Sequence, residues 1–135
     1  MIAYKATYNM KCMNITYEVG RTYTHEGELI LCESGFHFCK NPDNTIEYYD
    51  YNKDYVLLEI EVLGDVINDT NKSVTNKFKV LRIISKEEYN SIFTRIKLDE
   101  RGNLLYYKNS SGNEVWREYD ENNNRIYLKD FEGYE

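Results

Sequence analysis

The sequence predicts an α+β fold: mainly antiparallel β-sheet, two short helices, and a β-hairpin repeat at the C-terminal end. Three observations carry this. Short runs of β-branched and aromatic residues recur between Gly, Asn and Asp clusters. Two stretches break that period behind helix-capping residues. From residue 98 the chain repeats itself at an offset of 21. A length of 135 residues fits one compact domain with an appendage, set here at 1–97 and 98–135.

The first strands are IAYKATY (2–8) and the stretch from Ile15 to Val19. GRTYT and ELILC follow, with HEG between them as a hairpin connection. In NPDNTIEYYDY, Asn41 suits an N-cap, Pro42 the first helical position and Asp43 the positive end of the helix. YVLLEIEVLG (55–64) alternates Val56, Leu58, Ile60 and Val62 against Leu57, Glu59 and Glu61. After the polar turn NDTNKS, KFKVLRIIS (77–85) places Phe78, Val80 and Arg82 on one face. Ser85-Lys86-Glu87-Glu88 has the form of a capping box that opens EEYNSIF as a helix.

In the tail, LDERGNLLYYKNSSGNE (98–114) aligns without gaps onto YDENNNRIYLKDFEGYE (119–135). Asp99/Asp120, Asn103/Asn124, Tyr106/Tyr127 and Gly112/Gly133 coincide, in turns as well as strands. Each unit reads as turn, strand, turn, strand. The tail resembles the tyrosine-aspartate repeats of large bacterial Rhs-type surface and toxin proteins. Two copies are too few for the closed shell such proteins build, so a spacer or edge-covering meander is expected.

The formal charge of −6 argues against sequence-independent binding to nucleic acid, which needs clustered Lys and Arg. It suits a protein that docks on a partner's basic groove. No apolar run is long enough to span a bilayer. The start lacks the charged and apolar regions of a signal peptide, and the three cysteines are an odd number. A reduced cytoplasmic setting is the expectation.

The stretch CESGFHFC brings Cys32, His37 and Cys39 together, and Cys12 is a fourth candidate zinc ligand. The spacing is not that of a zinc knuckle. Alternation instead makes FHF a core strand after a Gly35 turn, its phenylalanines inward. His25, in the polar THEG turn, is expected to face water. No G-x-S-x-G, Walker A, G-x-G-x-x-G or H-E-x-x-H motif is present. The sequence therefore predicts no catalytic residues, no metal site and no cofactor.

The order Y-x-V-G-[KR]-x-Y, C-x-S-G-F-H-x-C, short helix, acidic strand and D-x-x-N-K-S-V resembles a group of small phage and prophage proteins of unknown function. The resemblance covers about the first 90 residues and implies a viral origin and the cytoplasm of an infected bacterial host. The expected function is that of a non-catalytic accessory protein inhibiting a host defence factor, for instance a CRISPR-Cas component. Its contact residues are expected in the segment that interleaves carboxylates with tyrosines: Glu47, Tyr48, Asp50, Tyr51 and Asp54. The partner would be a host protein, itself a nucleic-acid binder, with no direct nucleic-acid or membrane contact by this chain. A monomer or weak homo-oligomer is expected. Two alternatives stay open: a zinc-stabilised or thiol-dependent enzyme centred on Cys32, His37 and Cys39, and a sponge for a signalling nucleotide. For the sponge, Arg21, Lys40, Lys79 and Arg82 are the candidate interior cations.

Overall fold

A computed structural model describes residues 1–12, 15–29, 34–109 and 111–131, the last five of these by backbone only. The chain forms two compact units, Met1–Ile84 and Ser85–Glu135, so the boundary precedes the change of texture at 98. The fold is mostly antiparallel β-sheet with two short helices, as the sequence predicts.

The first unit is built on β1 (Ile2–Tyr8), β2 (Lys11–Cys12), β3 (Ile15–Thr16), β4 (Thr22–Thr24), β6 (Tyr55–Val62) and β9 (Lys77–Ile83). They form one sheet in the order β3-β2-β1-β6-β9-β4. The central pair runs from Ile2 opposite Glu61 to Tyr8 opposite Tyr55. β6 is apolar at Leu57 as well as at Leu58 and Ile60, all fully buried, as a central strand requires. A bulge between Glu59 and Ile60 resets the register of β9. It takes Arg82 off the Phe78–Val80 face to an exposed position, where Nε meets Glu59 Oε2 at 3.0 Å.

A second, three-stranded sheet orders β5 (Phe36–Phe38), β8 (Ser73–Thr75) and β7 (Val66–Asn68). The β7–β8 hairpin turns through NDTNKS, closed by Asp69 N–H on the Lys72 carbonyl at 2.8 Å. The strand expected over ELILC falls mostly on residues 30–33, outside the described residues; β4 pairs with β9 instead. Helix α1 (Pro42–Thr45) starts as its sequence dictates: Asn41 Oδ1 accepts from Asp43 N–H at 3.0 Å, with Pro42 in the first turn.

Phe36 and Phe38 are buried and join Ala3, Tyr17, Leu58, Ile60, Val62, Phe78 and Val80 in one apolar core. Phe78 is its hub, with ring centroids of Phe36 at 4.9 Å and of Tyr17 and Tyr23 at 5.5 Å. Phe36 and Tyr17 meet it edge-on and Tyr23 stacks on it, geometries that add to the area they bury.

The second unit opens with α2 (Lys86–Ile92) and continues as a four-stranded meander, β10 (Ile96–Leu98), β11 (Leu104–Lys108), β12 (Glu114–Tyr119) and β13 (Arg125–Phe131). Ser85 stands at the N-cap, but its side chain meets Glu88 Oε1 at 3.4 Å and caps no backbone N–H, so the expected capping box is incomplete. One turn design recurs. Asp99 Oδ1 accepts from the backbone N–H of Arg101 and Asn103, each at 2.8 Å. Asn109 does the same for Ser111 and Asn113, and Asp120 for Asn122 and Asn124, all at 2.9 Å. The fourth turn residue takes positive φ each time: Gly102 at 83°, Gly112 at 90° and Asn123 at 64°.

Candidate ligand-binding site

The site lies in the first unit and follows from how β1 uses its outer edge. Tyr8 pairs with Lys11 at one end, and Tyr4 exchanges backbone hydrogen bonds with Cys39 at the other. Between them opens a cavity of about 660 Å3, lined by β1, β2, β5 and the segment after α1. That size is ordinary for a small-molecule pocket.

Lys5 is its most unusual wall residue. It shares strand parity with Ala3 and Thr7, opposite Leu58, so it projects into the apolar side of the sheet. It is only 4% exposed. Its Nζ donates to the His37 carbonyl at 2.6 Å and lies 5.6 Å from the Tyr17 ring centroid and 6.0 Å from that of Phe78. Among the described residues no carboxylate pairs with it. Two cation–π contacts and a charged hydrogen bond each contribute about 1–3 kcal/mol. Desolvating an unpaired ammonium costs several kcal/mol. Burial therefore pushes Lys5 below the ordinary lysine range, with Cys12 and Cys39 pulling the other way.

The surroundings share this field. His37 is lowered first by burial, then by Lys5 and Lys72. The Cys39 thiol is pushed up to about 11, chiefly by burial. Cys12 Sγ and Tyr49 Oη stand 2.7 Å apart, and Tyr49 also packs edge-on against Tyr8 at 4.9 Å. Burial raises Tyr49 and Tyr17 well above the ordinary tyrosine value, so both are neutral hydroxyls. Glu26 is the carboxylate among the lining residues and is exposed. The cavity thus joins aromatic walls to a positive interior.

The residues expected from sequence fall unevenly around it. Tyr48 lines the cavity, is 47% exposed, and has Lys72 Nζ 5.0 Å above its ring. Glu47, Asp50, Tyr51 and Asp54 do not line it. Glu47 Oε2 accepts from Asn71 at 3.1 Å, the Asp50 carbonyl from the Tyr8 hydroxyl at 3.1 Å, and the Asp54 carbonyl from Asn9 N–H at 2.8 Å. Tyr51 packs against Tyr55 at 5.7 Å.

Of the sulfur and histidine candidates, Cys12, His37 and Cys39 all line the cavity, while Cys32 lies outside the described residues. No group of three His, Cys, Asp or Glu side chains is placed to hold a metal ion among the described residues. His25 is half-buried, lines the cavity and meets the Phe36 ring edge-on at 6.2 Å. Arg21, Lys40, Lys79 and Arg82 are all exposed, so none is the interior cation sought. Lys5 is, and its signal was the single charged residue at the centre of a strand otherwise made of Ile, Ala, Tyr and Thr. No helix among the described residues is long and apolar enough to cross a membrane.

Residues 1–92 match the model of a family described as "Domain of unknown function (DUF7666)", which covers every wall of the cavity. No curated protein and no solved structure matches the chain.

Proposed function

The chain belongs to the DUF7666 family, and we propose that it is a non-catalytic binding module that captures a small organic anion in the Lys5 cavity. This is the sponge alternative with its cation relocated. The observation that carries it is the buried ammonium without a carboxylate partner, facing a cavity sized for a mononucleotide or an aromatic acid. An entering anion supplies the charge that Lys5 lacks, and the rings of Tyr17 and Phe36 offer it flat apolar surface.

The test is thermal melting of the intact chain against a panel of nucleoside monophosphates, cyclic nucleotides and aromatic carboxylates. A ligand at about 100 times its Kd adds about 2.7 kcal/mol of stability, easily seen as a melting shift. At least one should raise the melting temperature, and Lys5→Met should remove the shift. A flat panel would sink the proposal.

A second reading is favoured by the exposure of Tyr48 and Asp50. In it, Glu47, Tyr48, Asp50, Tyr51 and Asp54 form an acidic, tyrosine-rich contact with a host nucleic-acid-binding protein, as a phage-encoded inhibitor of a CRISPR-Cas component would use. The C-terminal meander then acts as a hairpin-built spacer. Recovery of one host protein from lysate by the native chain, abolished by Tyr48→Ala with Asp50→Asn, is the outcome it requires.

A further inference from the structure

Lys5 has more than charge to offer. A neutral lysine amine carries two N–H bonds and a lone pair. When Lys5 gives up its proton, with one N–H bonded to the His37 carbonyl, its lone pair remains at the wall of the cavity. We propose that Lys5 is a carbonyl-capturing amine that condenses, inside the cavity, with a small aldehyde bearing an acidic group to form a reversible imine. This rests on the cavity's being a small-ligand site.

The surroundings suit each step. Nζ attacks the carbonyl carbon, the C–N bond forms, and the π pair moves to oxygen, which takes a proton. The carbinolamine then expels that oxygen as water while the C=N bond closes. The balance is amine plus aldehyde to imine plus water, with neither oxidant nor reductant. The Cys12 Sγ and Tyr49 Oη, 2.7 Å apart in the same wall, form a hydrogen-bonded pair that can relay the proton in the dehydration. Lys72, also lining the cavity, is the cation that meets the ligand's acidic group. Burial favours the uncharged, nucleophilic amine and keeps bulk water from the product, the environment in which imine-forming lysines work.

The competing amines are controls within the same molecule. Lys11, Lys40, Lys53, Lys77, Lys79, Lys86, Lys97 and Lys108 are all exposed. The intact protein is incubated at neutral pH with 4-carboxybenzaldehyde and cyanoborohydride, then mapped by peptide mass spectrometry. The probe fits easily within about 660 Å3. Lys5 should be the principal site of modification, ahead of every exposed lysine, because burial raises its share of free amine. In parallel, 4-(hydroxymethyl)benzoate, which cannot condense, is titrated by ligand-observed NMR. Binding of the alcohol with no adduct on Lys5 overturns the imine and leaves the anion site standing. No binding and no adduct overturns both. An adduct on Lys5 alone, with or without alcohol binding, supports covalent capture.

Discussion

Tyr4 and Cys39 exchange both backbone hydrogen bonds, each 2.9 Å long, in a bridge that belongs to no strand pair. It fastens the exit of β5 to the open edge of β1. The carbonyl two residues before Cys39, that of His37, thereby lands on the Nζ of the residue after Tyr4. A single pair of backbone bonds thus sets the chemistry of Lys5.

Replacing Lys5 by Met keeps the stem and removes the buried charge. Equilibrium denaturation at neutral pH should show stability unchanged or raised by about 1–2 kcal/mol, as for other buried charges replaced by apolar groups. The pH dependence fixes the sign. Lys5 is lowered in the folded state from an ordinary 10.5, so between its folded value and 10.5 the unfolded chain binds more protons. Wild-type stability, relative to Lys5→Met, should therefore rise with pH across that window. A flat difference would show that Lys5 titrates as an ordinary surface lysine.

Gly35 holds φ at 105°, and a Cβ there would lie 2.6 Å from Leu29 Cδ2 and from Val74 Cγ2. Gly35→Ala combines left-handed strain with a core clash at the entrance of β5. It should cost about 2 kcal/mol or more by urea denaturation. It should also weaken any ligand that needs Lys5, since β5 carries the His37 carbonyl.

Cys39 is buried, with its thiol pushed up to about 11, whereas Cys12 is half-buried. Iodoacetamide at neutral pH should alkylate Cys39 at least about tenfold more slowly than Cys12 in the native protein, because the thiolate is the reactive form. The raised thiol also stabilises the fold below its ordinary value of 9.0, a contribution lost as pH rises from there to about 11. Cys39→Ala should remove that alkaline loss.

Asp99 stitches its turn through two backbone N–H groups and Asn103 Nδ2. Burial pushes its carboxyl up, but the bonds from Asn103 and Arg101 together outweigh this and hold it below the usual range. Asp99→Ala should destabilise the second unit by about 1 kcal/mol, the ordinary value of such bonds. The Asp99 contribution, complete above 3.8, should disappear as pH falls through its lowered folded value, read by near-ultraviolet circular dichroism.

Local chemistry made several elements legible in sequence. IAYKATY, YVLLEIEV and KFKVLRI announce β1, β6 and β9 by residue type, and Asn41-Pro42-Asp43 announces α1. The inward packing of Phe36 and Phe38 followed from alternation alone. The cavity did not, because it depends on a distant pairing: Cys39 with Tyr4, which no local pattern encodes. Arg82 was misplaced for a related reason, since a bulge breaks the alternation that put it inside. Lys5 was visible in the middle of β1, but a lone lysine in a strand gains meaning only once both edges of that strand are known.

The corner built on Asp99, Asn109 and Asp120 has a genetic consequence. Each corner begins from the same side-chain geometry, so duplicating or deleting the 21 residues from Asp99 to Tyr119 joins like to like. The strands beyond the joint keep their direction and their inward and outward sides. Losing one corner would reverse both. Tail length in such a chain can thus drift by replication slippage in steps of two strands, leaving the reading frame and the sequence of the first unit untouched.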